Sequence, residues 1–325
     1  QDSVNIPLLG LAVSDLCCDV TMSWCVICQG ITRFGPVTFP VEPFGLMIMT
    51  ASYPRVIFSR ITSWLTALIS LERCACVAFP LKVKSIFTPR NTGVMTFTIF
   101  AVLLASNMLI YYPREFQMKS NPNLNLTRLT MVILTDRLNS AAAINAILFI
   151  SLPFINVILI IGCAVVLIIK LERSQKWRQH AQSGDQPIKR SPQKLIRLRP
   201  KTTPEHRNGK KLKKSIHSAK ELKLTKMITS LTMIFLVCNM PSNGLLAASI
   251  FVPGFTSTGK FAELFQMLHS VAFFLETVNS SVNLLVYYAM SSKFKAEFMK
   301  LLTGPWRNFK MVETSNYPIP SKIKP

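Results

Sequence analysis

The sequence predicts an all-α membrane protein, and three observations support that fold class. Half of the 325 residues are hydrophobic and only 16% are charged, whereas a soluble domain usually carries about 25% charge. Six apolar stretches each reach the roughly 20 residues that a helix needs to cross a bilayer. Lysine and arginine are concentrated in the segments on one side of these stretches, as the positive-inside rule requires.

The six apolar stretches are long, weakly amphipathic and separated by polar loops, which argues against buried helices of a soluble protein. No internal repeat relates the two halves, which weakens the rival hypothesis of a secondary transporter. Arginines in the second stretch lack the regular three-residue spacing of a voltage sensor, which argues against the hypothesis of a voltage-gated channel. The predicted spans lie near 4–29, 45–78, 93–112, 141–170, 226–252 and 263–290.

The charge distribution predicts the orientation of the chain in the membrane. The segments assigned to the cytoplasm hold 28 lysines and arginines, against six in the outer segments. With an even number of spans, both the N-terminus and the C-terminus of this chain are expected in the cytoplasm. The net charge of +22 therefore reflects membrane topology, and no nucleic-acid partner is expected.

Residues 1–302 are predicted to form one membrane domain, followed by a short cytoplasmic tail over 303–325. Within it, 171–225 is a long basic cytoplasmic loop with several prolines. Anionic membrane lipid is an expected partner of this loop, and a specific protein partner is left open. An apolar face opposite lysines predicts that 291–302 is a helix lying in the membrane interface.

Four motifs with polar residues stand in the spans, namely Leu11-Ala-Val-Ser-Asp15, Glu72-Arg73-Cys74, Phe235-Leu-Val-Cys238-Asn239-Met-Pro241 and Asn279-Ser-Ser-Val-Asn283-Leu-Leu-Val-Tyr287. In their order and spacing they resemble the helix-two, helix-three, helix-six and helix-seven motifs of rhodopsin-like (class A) G-protein-coupled receptors. The resemblance implies a seven-transmembrane receptor bundle with helices two to seven present and the first helix missing.

The family implies a receptor at the plasma membrane, not an enzyme, that passes a signal to a heterotrimeric G protein. The stretch from Arg60 to Cys74 and the stretch from Pro80 to Arg90 are similar to molluscan chemosensory-receptor-like and FMRFamide-receptor-like sequences. An extracellular peptide or a small, acidic chemical is therefore the expected ligand. Because helix one is missing, a non-functional receptor fragment stays open as an alternative.

Arg55 is the main candidate for ligand recognition, because similar amine receptors place an acid at this position. Its guanidinium suits a carboxylate, a phosphate or an acidic peptide group. An internal ion pair with Glu276 is equally open, and a ligand that competes for this pair would satisfy both hypotheses. The other candidates, which also suit hydrogen bonds between helices, are Ser59, Asn145, Asn239, Ser242 and Glu276.

The resemblance also implies a switch on the cytoplasmic side. Glu72 and Arg73 are adjacent opposite charges that can pair in a low-dielectric setting and be released on activation. Leu81 matches an apolar residue that similar receptors insert into the G protein. Pro241 is the expected hinge of its helix, and Asn283 and Tyr287 complete the last motif.

A second implied site is the buried sodium pocket of the family. Oxygen ligands around one carboxylate suit a hard cation, while a hydrogen-bond network without an ion fits equally well. No other cofactor is expected. The residues are Asp15, Thr62, Asn279, Ser280 and Asn283.

Several departures from the family pattern bear on function. Cys74 replaces the motif tyrosine, Asn239 the helix-six tryptophan, and Leu284 the helix-seven proline. The usual disulfide to the second outer loop is missing at both ends, so either other contacts hold that loop or it is mobile. Asn125 begins a glycosylation sequon in this same loop.

Overall fold

The structure is a computed structural model, and five helices in its described part are long and apolar enough to cross a membrane. These helices are Ser3–Phe34, Pro43–Ala78, Pro89–Tyr111, Leu152–Arg173 and Leu222–Phe251. The described residues are 2–34, 39–79, 82–121, 126–138, 140, 147–182, 204–256, 259–290, 295–296 and 299.

Eight α-helices and two β-strands can be named within those residues. Two π-helical turns, Ile48–Ser52 and Ile147–Ser151, and a 3₁₀ turn, Met108–Tyr111, adjoin them. In chain order the elements are α1 (Asp2–Phe34), α2 (Pro43–Met47), α3 (Tyr53–Ala78), α4 (Val83–Ile86), α5 (Pro89–Asn107), β1 (Arg114–Asn121), β2 (Leu126–Ile133), α6 (Leu152–Gln182), α7 (Pro204–Phe251) and α8 (Ala262–Met290).

The sixth predicted span, 263–290, is helical throughout as α8. It is not among the five apolar helices, because polar side chains such as Glu276, Asn279 and Asn283 interrupt its hydrophobic sequence. Its membrane assignment therefore stays a prediction of the sequence. The predicted span over 141–170 is described from residue 147 onward.

Both π-helical turns lie just before prolines. Ile48–Ser52 precedes Pro54, and Ile147–Ser151 precedes Pro153. Proline has no N–H and its ring crowds the carbonyl four residues earlier, and a wider turn accommodates both effects. Pro241, in contrast, lies within the continuous helix α7, so the expected hinge there stays a prediction.

Helix α3 is at the centre of the helical packing and contacts α1, α5, α6 and α7. Helix α1 approaches α3 and α5 closely at Gly10, where a Cβ would lie 3.0 Å from Thr96 Cγ2 and 3.4 Å from Leu65 Cδ1. On the other side of α3, a buried cluster of Ala67, Ile160 and Phe235 joins it to α6 and α7. This packing places the polar residues of α3 between several helices.

A β-hairpin occupies the segment that the sequence predicts as an outer loop. Strands β1 and β2 pair antiparallel, with Arg114 opposite Ile133 at one end and Asn121 opposite Leu126 at the other. The predicted all-helical architecture therefore holds for the spans but not for this segment.

The chain divides into two compact units, Gln1–Ser281 and Val282–Pro325. The second unit begins in the last part of α8 and includes Lys295, whose Nζ lies 5.2 Å from the centre of the Tyr288 ring. The interfacial helix predicted over 291–302 lies mostly outside the described residues, as does the tail over 303–325.

Candidate functional site: a charged network beside a central cavity

A buried ion pair joins α3 to α8 at the predicted ligand site. Arg55 Nη2 lies 2.8 Å from Glu276 Oε2, and Arg55 is only 2% exposed. The same Nη2 donates to the Phe273 carbonyl at 3.2 Å, and the guanidinium carbon lies 3.8 Å from the centre of the Phe273 ring. Burial of this arginine is thus offset by a carboxylate, a carbonyl and an aromatic face together.

Two serines extend this pair to a third helix. Ser242 of α7 donates a hydrogen bond to Glu276 Oε1, and Ser59 Oγ lies 3.5 Å from Glu276 Oε2. Arg55 and Ser59 are four residues apart, so they share one face of α3. The carboxylate of Glu276 therefore links α3, α7 and α8, and we call these residues the Glu276 network.

A cavity of about 380 Å³ lies beside the Glu276 network. Four predicted ligand residues line it, namely Ser59, Asn239, Ser242 and Glu276. Pockets of roughly 300–1,000 Å³ are typical of small-ligand sites. We call it the main cavity.

Among the ligand candidates that the structure describes, Arg55 does not line the main cavity. It lines a smaller cavity of about 10 Å³ with Thr62, Asn279 and Ser280. Asn145 lies outside the described residues. Of the two hypotheses for Arg55, the structure contains the ion pair.

Sequence analysis missed several residues that line the main cavity, among them Arg60, His269 and Phe273. On α8, the rings of Phe265 and His269 lie 5.6 Å apart and those of His269 and Phe273 lie 4.0 Å apart. The four-residue spacing of these aromatic residues, followed by Glu276, places them on one helix face. That spacing is a signal that the sequence contained.

The oxygen-rich cluster around Asp15 is also present. Thr62 Oγ1 donates to Asp15 Oδ1 at 2.9 Å, and Ser14 Oγ lies 2.8 Å from Thr62 Oγ1. Asn279 Oδ1 is buried and has no hydrogen-bond partner within the described part of the chain. A carboxylate, two hydroxyls and a spare amide oxygen are ligands that suit a hard cation. Asn283 belongs to the second unit of the chain.

Near the C-terminal end of α3, the expected charge pair forms and has an additional partner. Arg73 Nη2 lies 3.2 Å from Glu72 Oε1, and Ser3 of α1 donates to the same oxygen at 2.8 Å. Glu72 and Arg73 are both buried. Cys74, at the motif tyrosine position, donates to the Cys163 carbonyl of α6 at 3.2 Å. Leu81 lies outside the described residues.

The β-hairpin is attached to the preceding outer segment by backbone hydrogen bonds. Glu42 N donates to the Leu129 carbonyl at 2.9 Å, and Leu129 N donates to the Pro40 carbonyl at 3.0 Å. All eight cysteines are free. Backbone pairing thus holds this loop, which decides between the two alternatives that the sequence left open. The Asn125 sequon lies outside the described residues.

The chain belongs to the 7 transmembrane receptor (rhodopsin family), whose model matches residues 1–287. It is therefore a multi-pass membrane receptor and not an enzyme. It is similar to the galanin-like G-protein coupled receptor npr-9 of Caenorhabditis elegans, with 24% identity over 321 residues. That match covers 93% of this chain and 66% of the relative, so the chain spans slightly less than two thirds of the relative's length.

Proposed function

We propose that this receptor binds an extracellular peptide in the main cavity and activates a heterotrimeric G protein. The observation that carries the proposal is the position of the Glu276 network in the wall of a cavity of about 380 Å³. A ligand there would contact groups from α3, α7 and α8 at once. The galanin-like relative favours a peptide over the small chemosensory ligand that the sequence also allowed.

In this mechanism the ligand acts by changing the Glu276 network. Glu276 lines the main cavity and Arg55 does not, so an acidic group on the ligand would reach Arg55 only by displacing the Glu276 carboxylate, and Ser242 would then lose its acceptor. Because Ser242 is on α7, the contact between α7 and α8 would weaken in the bound state. Ligand binding shifts the receptor only if its affinity for the two arrangements differs.

The cytoplasmic part of the mechanism depends on Arg73. Release from Glu72 would free the Arg73 guanidinium to face the G protein, with Leu81 as an apolar contact and Pro241 as the hinge of α7. Asn283 and Tyr287 would complete the switch on α8. A sodium ion held by Asp15, Thr62, Asn279 and Ser280 would supply a positive charge that stabilises the inactive arrangement.

We place the receptor in the plasma membrane, with both ends of this chain in the cytoplasm. The charge difference between the two sets of segments supports this orientation.

A ligand screen with the full-length receptor and a promiscuous G protein tests the proposal. We expect a peptide whose binding weakens when a non-hydrolysable GTP analogue is added. The Ser242→Ala variant should raise its potency by roughly tenfold, because the hydrogen bond from Ser242 to the charged Glu276, which ligand binding must break, is absent in this variant. Asn5→Ala, an exposed change on α1, serves as the matched control.

Two results would contradict the proposal. Ligand flux across vesicles that contain the receptor but no G protein would favour a transporter. Binding that is insensitive to guanine nucleotide and to Ser242→Ala would exclude both G-protein coupling and the assigned cavity.

A further inference from the structure

A polar cleft opens from the main cavity between α3, α5 and α6. Its volume is about 30 Å³, and its walls include Leu103, Leu152 and Trp64. Arg60, Ser63 and Pro153 line both spaces, which makes the cleft a side branch of the main cavity. A water-sized group needs about 10–15 Å³ of such volume, so the cleft has room for about two such groups.

Asn156 lines this cleft and is only 1% exposed. Neither its Oδ1 nor its Nδ2 has a hydrogen-bond partner among the described residues. A buried amide without partners costs free energy, and the cost is greater where lipid replaces water. An amide that keeps both atoms unpaired at the wall of a cavity is therefore placed to meet a ligand.

Arg60 provides the positive charge of the cleft. Its Nη1 donates to Asn107 Oδ1 at 3.3 Å, which orients the guanidinium between α3 and α5. A guanidinium offers five N–H donors in a fixed plane, so it can contact a ligand oxygen while it keeps Asn107. The cleft therefore presents donors from Arg60 and both a donor and an acceptor from Asn156.

We propose that this cleft binds a primary carboxamide group of the ligand. The carboxamide oxygen would accept from Arg60 and from Asn156 Nδ2, and its NH₂ would donate to Asn156 Oδ1. Because neither amide atom of Asn156 has a hydrogen-bond partner among the described residues, no such bond prevents the amide from turning to present Nδ2 to that oxygen. The apolar walls would contact the chain that carries the carboxamide.

The chemistry of Asn156 separates a carboxamide from a carboxylate. A carboxylate would satisfy Arg60 but offers only acceptors, so Asn156 Oδ1 would face a second oxygen without a proton between them. An apolar group would leave both amide atoms unpaired. The proposal rests on the proposed function only in taking the main cavity as the ligand site.

Two probes that differ only in this group test the proposal. N-acetyl-leucinamide and N-acetyl-leucine are titrated against the receptor in lipid nanodiscs, without G protein. Binding is followed by the fluorescence of tryptophan, since Trp64 lines the cleft. We expect the amide to bind at least tenfold more tightly than the acid, and Asn156→Leu to abolish this preference.

Matched variants make the result specific. Asn5→Leu, an exposed change of the same type on α1, should keep the tenfold preference. Asn156→Leu removes a polar group from a membrane helix and is expected to fold, and Asn156→Ala provides a second test without added bulk. The melting temperature of each variant verifies folding.

Three results would overturn the proposal. The acid binds as tightly as the amide, the preference survives Asn156→Leu, or the amide shows no saturable binding in the millimolar range. The last two would mean that Asn156 holds ordered water only. Because no G protein is present, these results are independent of the nucleotide sensitivity that tests the proposed function.

Discussion

Arg55 is held in the protein interior by three kinds of contact, and this determines how the receptor should respond to its loss. A carboxylate, a carbonyl and an aromatic ring surround the guanidinium. Removing one charge of such a pair leaves the other buried and uncompensated. The effect of a substitution here must therefore be divided between folding and ligand binding.

We expect Arg55→Met and Glu276→Leu each to destabilise the receptor by about 3 kcal/mol, and the double variant to lose less than the sum. The reason is that the double variant leaves no unpaired charge. Thermal unfolding in lipid nanodiscs, followed by tryptophan fluorescence, measures the difference.

The exposed pair Arg137–Glu115 is the matched control. Arg137 Nη1 lies 2.5 Å from Glu115 Oε1, but the side chain of Arg137 is 43% exposed and that of Glu115 is 41% exposed. Arg137→Met and Glu115→Leu should each change stability by no more than about 1 kcal/mol. If both pairs lost the same amount of stability on substitution, burial would not be the reason that the Arg55–Glu276 pair stabilises the receptor.

Arg73→Ala should abolish signalling and preserve ligand binding. The side chain is buried beside Glu72 and lies far along α3 from the main cavity, so its loss leaves the ligand contacts in place. We expect ligand-stimulated nucleotide exchange to fall at least tenfold while ligand affinity changes less than threefold. Normal exchange in this variant would remove Arg73 from the switch.

The sequence was sufficient to identify the residues of the Glu276 network but not to decide their roles. Arg55, Ser59, Ser242 and Glu276 were found because polar residues in apolar spans have few explanations. Whether Arg55 pairs internally depends on the rotation of α3 against α8, which no spacing within one helix reveals. Asn156 was missed for the same reason.

Among the secondary-structure elements, the β-hairpin and its attachment are the main departure from the sequence prediction. The hairpin forms through pairing of β1 with β2 and of Leu129 with residues 40–42. Strand formation depends on side-chain context more than on intrinsic preference, and the attachment of Leu129 to residues 40–42 joins distant segments, so the sequence of either strand is a weak predictor. The long helices, in contrast, follow from apolar length alone.

Close packing at Gly45 of α2 predicts a sharp effect on the hairpin. A Cβ at this position would lie 2.8 Å from Met131 Cβ and 3.3 Å from Met131 N, so Gly45→Ala should displace β2. We expect at least tenfold faster amide hydrogen exchange over 126–133.

Gly30→Ala is the control for this change, because nothing lies within 4 Å of a Cβ at Gly30. That variant should keep the exchange rates of the hairpin unchanged. If the amides of 126–133 were equally protected from exchange in both variants, the packing of α2 against β2 would not be what holds the hairpin in place.

For the whole molecule, the distribution of basic residues predicts which segments face the cell exterior. We expect Lys119→Cys in β1 to react with a membrane-impermeant maleimide on intact cells, because Lys119 is exposed and lies in an outer segment. Ser191→Cys, in the basic loop, should react only after permeabilisation. The unsubstituted chain provides the background of the native cysteines, and the reverse pattern would overturn the proposed orientation.

A β-hairpin that is attached by backbone hydrogen bonds differs chemically from a loop that is attached by a disulfide bond. Thiol reductants have no bond to cleave at this hairpin, since every cysteine is already reduced. Ligand affinity should therefore be the same in the presence and absence of dithiothreitol. The backbone hydrogen bonds that hold the hairpin can break and re-form without redox chemistry, so a change of redox conditions should leave its attachment to residues 40–42 unaltered.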